Sequence, residues 1–226
     1  MTGPVTGPVT GPVTDPGPVV LVGLMASGKT TVGRAVAVRL GRQFFDSDAM
    51  IEARTGRTVA QIFETSGEPT FRALETDVLD AALDAVPPGV VAAAGGVVLS
   101  AANRVRLQRA SRDGGLIVWL RAAPGLLASR VRPGDHRPLL AADPAGTLRR
   151  MAEDRTPLYA EVADVVVDVD GRPKKDIVAE VMAAVMAAVM AGVMAGVMAG
   201  VMTGVMAADV AADTGSATRS RGAVAP

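Results

Sequence analysis

An α/β fold, with a five-stranded parallel sheet flanked by helices, is predicted by three observations. Apolar runs of strand length alternate with runs of helical character through the middle of the chain. Four of the five strand candidates are short and nearly all apolar, the pattern of strands covered on both faces. The first of them runs directly into the glycine-rich turn Gly23-Leu24-Met25-Ala26-Ser27-Gly28-Lys29-Thr30, which opens a helix. In order, the strand candidates are residues 19–24, 43–46, 90–93, 116–120 and 165–169. The helix candidates are residues 29–40, 59–66, 70–86, 101–110, 124–131, 144–154 and the run from 175 onward. In such folds ligands bind beyond the carboxyl ends of the strands.

The two ends of the 226-residue chain differ from this middle. Residues 2–13 are three copies of Thr-Gly-Pro-Val, followed by Asp15, Pro16, Gly17 and Pro18. Proline supplies no amide donor and glycine adds chain entropy, so residues 1–17 are expected to form a disordered arm. One folded domain is expected over 18–180, and a low-complexity tail over 181–226. From Val181 to Ala208 the tail has 28 residues without a charge, built on a four-residue Val-Met-Ala-Gly unit. That length would span a bilayer, and Gly192, Gly196, Gly200 and Gly204 form a GxxxG ladder. Against a membrane role, nearly half the run is alanine and glycine. A four-residue period also drifts by about 40° per repeat on an α-helix, so no fixed face forms. A frayed extension of the last helix is expected, with a membrane span or a helix-pairing segment as the alternatives.

Composition narrows the function classes. Lys and Arg number 23, as do Asp and Glu, so no net field favours nucleic acid or an anionic membrane. The absence of cysteine excludes disulfides and thiolate zinc sites. The N-terminus lacks the basic start and apolar core of a secretory signal.

The turn after the first strand satisfies G-x-x-x-x-G-K-[ST] in the required strand–turn–helix context. Gly23 and Gly28 permit backbone angles that bring several N–H groups to one concave point. The helix N-terminus adds partial positive charge there. Lys29 is expected to reach the β- and γ-phosphates of a nucleoside triphosphate, and the Thr30 hydroxyl to ligate Mg²⁺. The bland reading is a glycine turn with an exposed lysine.

The second strand ends in Phe44-Phe45-Asp46-Ser47-Asp48. On an extended chain the two carboxylates at i and i+2 share a side. One can hold a magnesium-bound water, and the other can accept a proton or hydrogen bond from a hydroxyl nucleophile. Taken alone, these residues read equally as a polar turn with Asp48 as a helix cap. Further on, Arg72 and Glu75 share a helix face, which gives either a functional pair or a surface ion pair. Gly95 and Gly96 follow the third strand, where a ligand could approach the backbone closely or the chain could merely turn. Arg137, in Arg-Pro-Leu-Leu, and Arg155, in Arg-Thr-Pro-Leu-Tyr, complete the set.

Taken together, these motifs resemble the shikimate kinase family. The resemblance rests on the turn from Gly23 to Thr31, on Phe45-Asp46-Ser47-Asp48 with Ile51-Glu52, and on Thr55-Gly56-Arg57 with Ile62-Phe63. It continues through Gly67-Glu68, Phe71-Arg72, Glu75, Gly95-Gly96, Arg137 to Leu140, and Arg155 with Pro157-Leu158-Tyr159, in the family's order and spacing. It covers roughly residues 18–180 and excludes both tails.

The resemblance implies a nucleoside-monophosphate-kinase-like P-loop fold with a mobile lid. It also implies a cytoplasmic, monomeric enzyme of aromatic amino-acid biosynthesis that phosphorylates the 3-hydroxyl of shikimate with ATP and Mg²⁺. Nucleic acid and membrane are not expected partners. By position, Asp48 would bind the shikimate hydroxyls and draw off the proton. Arg72 and Arg155 would hold the carboxylate, and the Gly95 amide would contact the substrate. Asp46 would reach Mg²⁺ through water beside the direct ligand Thr30. Ala26, Ser27, Gly28, Lys29, Thr30 and Thr31 would surround the ATP phosphates, with Arg137 touching them from the lid. Arg130 and Arg172 would lie near the adenine. His136 is read as a solvated lid residue and Trp119 as core.

There are departures from the family pattern. Ala94 replaces the first of three usual glycines, and its methyl group would crowd the substrate if that position needed a left-handed backbone or close contact with the substrate. Ala26 stands where glycine is usual. The alternatives are a related kinase of another hydroxy-carboxylate such as gluconate, or a nucleotide-binding paralogue without catalysis, anchored or paired through residues 181–208.

Overall fold

Val19, Val20, Leu21 and Val22 are all buried, so the strand they form (β1, Val19–Val22) must sit at the centre of a sheet covered on both faces. In the computed structural model, which describes residues 16–131 and 143–217, it does. Side chains are described as far as Met198. The strands β2 (Phe44–Asp46), β3 (Val90–Ala92), β4 (Leu116–Arg121) and β5 (Val165–Asp168) complete a five-stranded sheet in the order β2-β3-β1-β4-β5. Every pairing is parallel, with Val19 opposite both Val90 and Leu116, Phe44 opposite Val90, and Val118 opposite Val165.

β5 departs from the sequence expectation. Val167 is buried, but Val166 and Asp168 are exposed, so this edge strand is covered on one face only.

Helices α1 (Lys29–Leu40), α2 (Ser47–Thr55), α3 (Val59–Leu83), α4 (Ala101–Arg112), α5 (Pro124–Arg130), α6 (Pro144–Val162) and α7 (Lys174–Ala217) flank or follow the strands. A 3₁₀ turn, Val97–Leu99, precedes α4. α3 comprises the two helices expected at 59–66 and 70–86, which meet at a kink where Gly67 leaves the helical backbone (φ 76°, ψ 170°) and Pro69 follows. Thr58 and Gln61 start α3 with a reciprocal capping box.

α2 was not foreseen as a separate helix. Its cap is Asp46, whose Oδ1 accepts the amides of Asp48 (3.1 Å) and Ala49 (3.3 Å), and not Asp48 as the sequence suggested. α6 runs past the expected end at residue 154 and through Pro157, which brings Arg155 and Tyr159 onto one helix.

The main core joins Val20, Val22 and Val91 of the sheet to Leu79, Leu107, Leu127, Leu148 and Tyr159 of the helices. A second cluster of Ile51, Ile62, Phe71 and Val78 fixes α2 against α3 and so sets the position of the residue after Phe71. Pro16 and Gly17, at the end of the expected arm, bond to the domain. Gly17 N–H donates to Gly114 O (3.0 Å), and Arg42 donates to the carbonyls of Pro16 (2.6 Å) and Gly17 (2.9 Å). The rest of the arm, and the lid residues Pro133, Gly134, His136 and Arg137, lie outside the described residues.

The chain divides into two units, Met1–Met186 and Ala187–Pro226. In the first, the opening turns of α7 bury Ile177, Val178, Val181 and Val185. In the second, the chain is helical to Ala217, and Met190, Val193, Met194, Val197 and Met198 are exposed. α7 is long and apolar enough to cross a membrane by length and composition alone.

Candidate active site

The loop between β1 and α1 owes its shape to three left-handed backbone positions, Gly23 (φ 140°), Ala26 (φ 62°) and Gly28 (φ 99°). A methyl group on Gly23 would lie 2.6 Å from Leu120 O, so the loop packs directly on the end of β4. Lys29 Nζ donates to Gly23 O and Leu24 O, each at 2.8 Å, and thus lies across its own loop. Ala26 is the one described non-glycine residue with positive φ, which gives a physical reason for glycine being usual there. Ala26→Gly is therefore expected to raise unfolding stability by about 1 kcal/mol, read by urea denaturation. Ala94, by contrast, does not adopt positive φ, and it lines the cavity described below.

Thr30 Oγ1 donates to Asp46 Oδ2 at 2.7 Å. This places two hard oxygen atoms side by side where α1 begins and β2 ends. Mg²⁺ commonly takes one or two protein oxygens and completes its shell with phosphate and water, so the pair fits such an ion. Asp46 and Asp48 do not share the side of an extended chain, as the spacing suggested. Asp46 closes the strand, and Asp48 stands in the first turn of α2. Both nevertheless line one cavity.

That cavity has a volume of about 540 Å³ and lies at the carboxyl edge of the sheet. Its walls include the whole loop from Met25 to Thr31, both aspartates, Arg72, Gly95, Arg130, Arg155 and Arg172. Every site residue singled out in the sequence is thus brought together here, except Arg137, which lies outside the described residues.

Arg130 donates to Ala26 O (3.2 Å), and Arg172 pairs with Glu180 (2.5 Å). Phe63 and Phe71, with ring centroids 4.6 Å apart, form an aromatic wall beside Arg72. Arg155 Nη1 (3.0 Å) and the Tyr159 hydroxyl (2.6 Å) both donate to Gly95 O. Burial pushes the Tyr159 hydroxyl far above its ordinary value, so it remains a donor.

Arg72 is held from two sides. Its Nη1 meets Glu75 Oε2 at 2.5 Å, and its Nε and Nη2 meet Glu68 Oε1 at 3.1 and 2.5 Å. The Arg72–Glu75 pair is not a surface pair, because Glu75 is only 2% exposed. Burial pushes the Glu75 carboxyl above the ordinary carboxylate range, and Asp48 adds to the rise, against the pull of Arg72 and Arg155.

Gly96 is not in a left-handed conformation, but a methyl group there would collide with Arg72 Nη1 and Cζ. The close approach anticipated at the paired glycines is therefore partly an approach by the protein's own arginine. Reasoning from the sequence assigns no role to Tyr159 or Glu68. Tyr159 could have been found from its i+4 spacing to Arg155, had the helix been carried through Pro157.

A triphosphate-binding loop at one side of a cavity and paired arginines at the other define a P-loop phosphotransferase acting on a small molecule. A family model for shikimate kinase matches residues 25–186, and the chain belongs to the shikimate kinase family. The shikimate kinase of Symbiobacterium thermophilum is 48% identical over 166 residues, covering 72% of this chain and 92% of that relative. The shikimate kinase of Burkholderia lata is 50% identical over 156 residues, covering 69% and 82% respectively. Among solved structures, shikimate kinase from Acinetobacter baumannii in complex with shikimate superposes with a TM-score of 0.71 at 37% identity, covering 76% of this chain and 93% of that one.

Proposed function

We propose that the chain transfers the γ-phosphoryl group of ATP to the 3-hydroxyl of shikimate, giving shikimate 3-phosphate and ADP. The observation that carries this reading is the placing of Arg72 and Arg155 on the same cavity as the phosphate loop and Asp48. Shikimate offers one carboxylate and three hydroxyls. A planar guanidinium is the matching partner for the first, and a carboxylate for the second.

In the proposed mechanism, the amides of Gly28 to Thr31 and the α1 N-terminus receive the phosphates. Lys29 leaves the carbonyls of Gly23 and Leu24 to meet the phosphate oxygens. Thr30 and Asp46 would hold Mg²⁺, and the ion would supply positive charge against the phosphates. Asp48 accepts a hydrogen bond from the attacking hydroxyl and takes its proton. Arg72 and Arg155 hold the acceptor carboxylate, each charge-assisted bond being worth about 1.5–3 kcal/mol. Tyr159 positions the Gly95 backbone by holding its carbonyl. Arg130 and Arg172 face the nucleotide, and Arg137 is assigned to the transferring phosphate. The reading includes a monomeric, cytoplasmic enzyme.

A coupled ADP-release assay tests it. Shikimate-dependent turnover is expected, exceeding turnover with gluconate. ATP-binding protein without shikimate-dependent turnover would overturn the reading. Gly96→Ala probes the acceptor side separately. The added methyl would displace the Arg72 guanidinium from buried Glu75, so urea denaturation should also show a loss of stability, by up to about 3–5 kcal/mol. The KM for shikimate should rise by about tenfold to a hundredfold, the loss of one charge-assisted contact, with the KM for ATP unchanged.

A further inference from the structure

Arg72 is the arginine proposed to hold the acceptor carboxylate, and it already carries two carboxylates of its own. They are not equivalent. Glu75 is buried at 2% exposure and bonds Nη1, on the guanidinium end that rests against Gly96. Glu68 has its side chain half exposed and takes the Nε–Nη2 edge through one oxygen. That edge is one of the two that a carboxylate can grip with both oxygens.

Glu68 also directly follows Gly67, whose φ of 76° and ψ of 170° break the helix, and precedes Pro69. Its backbone is therefore outside the regular hydrogen-bond ladder that holds Glu75.

We propose that Glu68 is an internal competitor for the acceptor's carboxylate at Arg72. Glu75 anchors the guanidinium. Glu68 occupies its accessible edge in the free enzyme and yields that edge when the acid binds, so that it sets acceptor affinity. The inference rests on the reading of Arg72 as a carboxylate-binding residue.

The test compares the wild-type chain with Glu68→Gln and Glu68→Ala in initial-rate assays at saturating ATP, varying shikimate. Calorimetric titration with shikimate and with its neutral carboxamide accompanies the rates. Relief of the competition is expected to lower the KM and Kd for shikimate by about threefold to fivefold, the range of an exposed ion pair. The kcat should move less than twofold, and the Kd of the carboxamide should stay unchanged. A purely structural role for Glu68 would weaken both ligands together. Wild-type turnover of shikimate with variant KM values unchanged or raised would overturn the inference and leave the functional reading standing. Absence of wild-type turnover would overturn both.

Discussion

Lys29→Ala protein is expected to transfer phosphate about a thousandfold more slowly than the wild type, or to fall below detection, while its affinity for shikimate stays within about twofold. A single donor aimed at charge that develops in the transition state is worth about 10²–10³ in rate, and Lys29 adds a full positive charge to its hydrogen bonds. The structure makes the lysine's second job visible. In the free enzyme it spans the carbonyls of Gly23 and Leu24, so its loss also loosens the loop. Thermal unfolding and ATP titration of the same variant separate the two effects. Lys29→Arg should not restore transfer, because a planar fork does not reproduce a compact ammonium placed between two carbonyls. Transfer by Lys29→Ala at more than a tenth of the wild-type rate would remove the lysine from the mechanism.

Asp48→Asn should leave ATP binding within about threefold of the wild type and lower shikimate turnover by about 10²–10⁴, the usual worth of a positioned general base. The substitution keeps the size of the side chain and removes its capacity to take a proton. Because Asp46 and not Asp48 caps α2, the helix start should survive the change, and circular dichroism would check that. Full activity in Asp48→Asn would show the assigned role to be wrong.

Much of the layout could be read from the chain because its signals are local. The buried strands β1, β3 and β4 are short apolar runs, and the phosphate loop is a contiguous motif whose glycines and lysine have fixed duties. What could not be read depended on residues distant in sequence. β5 looks as apolar as the central strands, yet only its place at the sheet edge leaves Val166 exposed. The helix expected to end at residue 154 continues through Pro157, and Arg155 and Tyr159 on it are tied to a carbonyl 60 and 64 residues away. The cap of α2 was placed two residues late because aspartates at 46 and 48 both satisfy the cap preference. At the paired glycines, composition announced a close approach but not that the approaching group is Arg72.

The anatomy of α7 has a consequence for how this protein can vary. The side chains that α7 buries in the first unit end at Val185, and those described from Met186 to Met198 are exposed or nearly so. Copies of the Val-Met-Ala-Gly unit can be gained or lost beyond that point without moving a packed side chain, and each copy lengthens the rod by about 6 Å. Core packing thus constrains α7 up to Val185 and does not fix the number of repeat units beyond it.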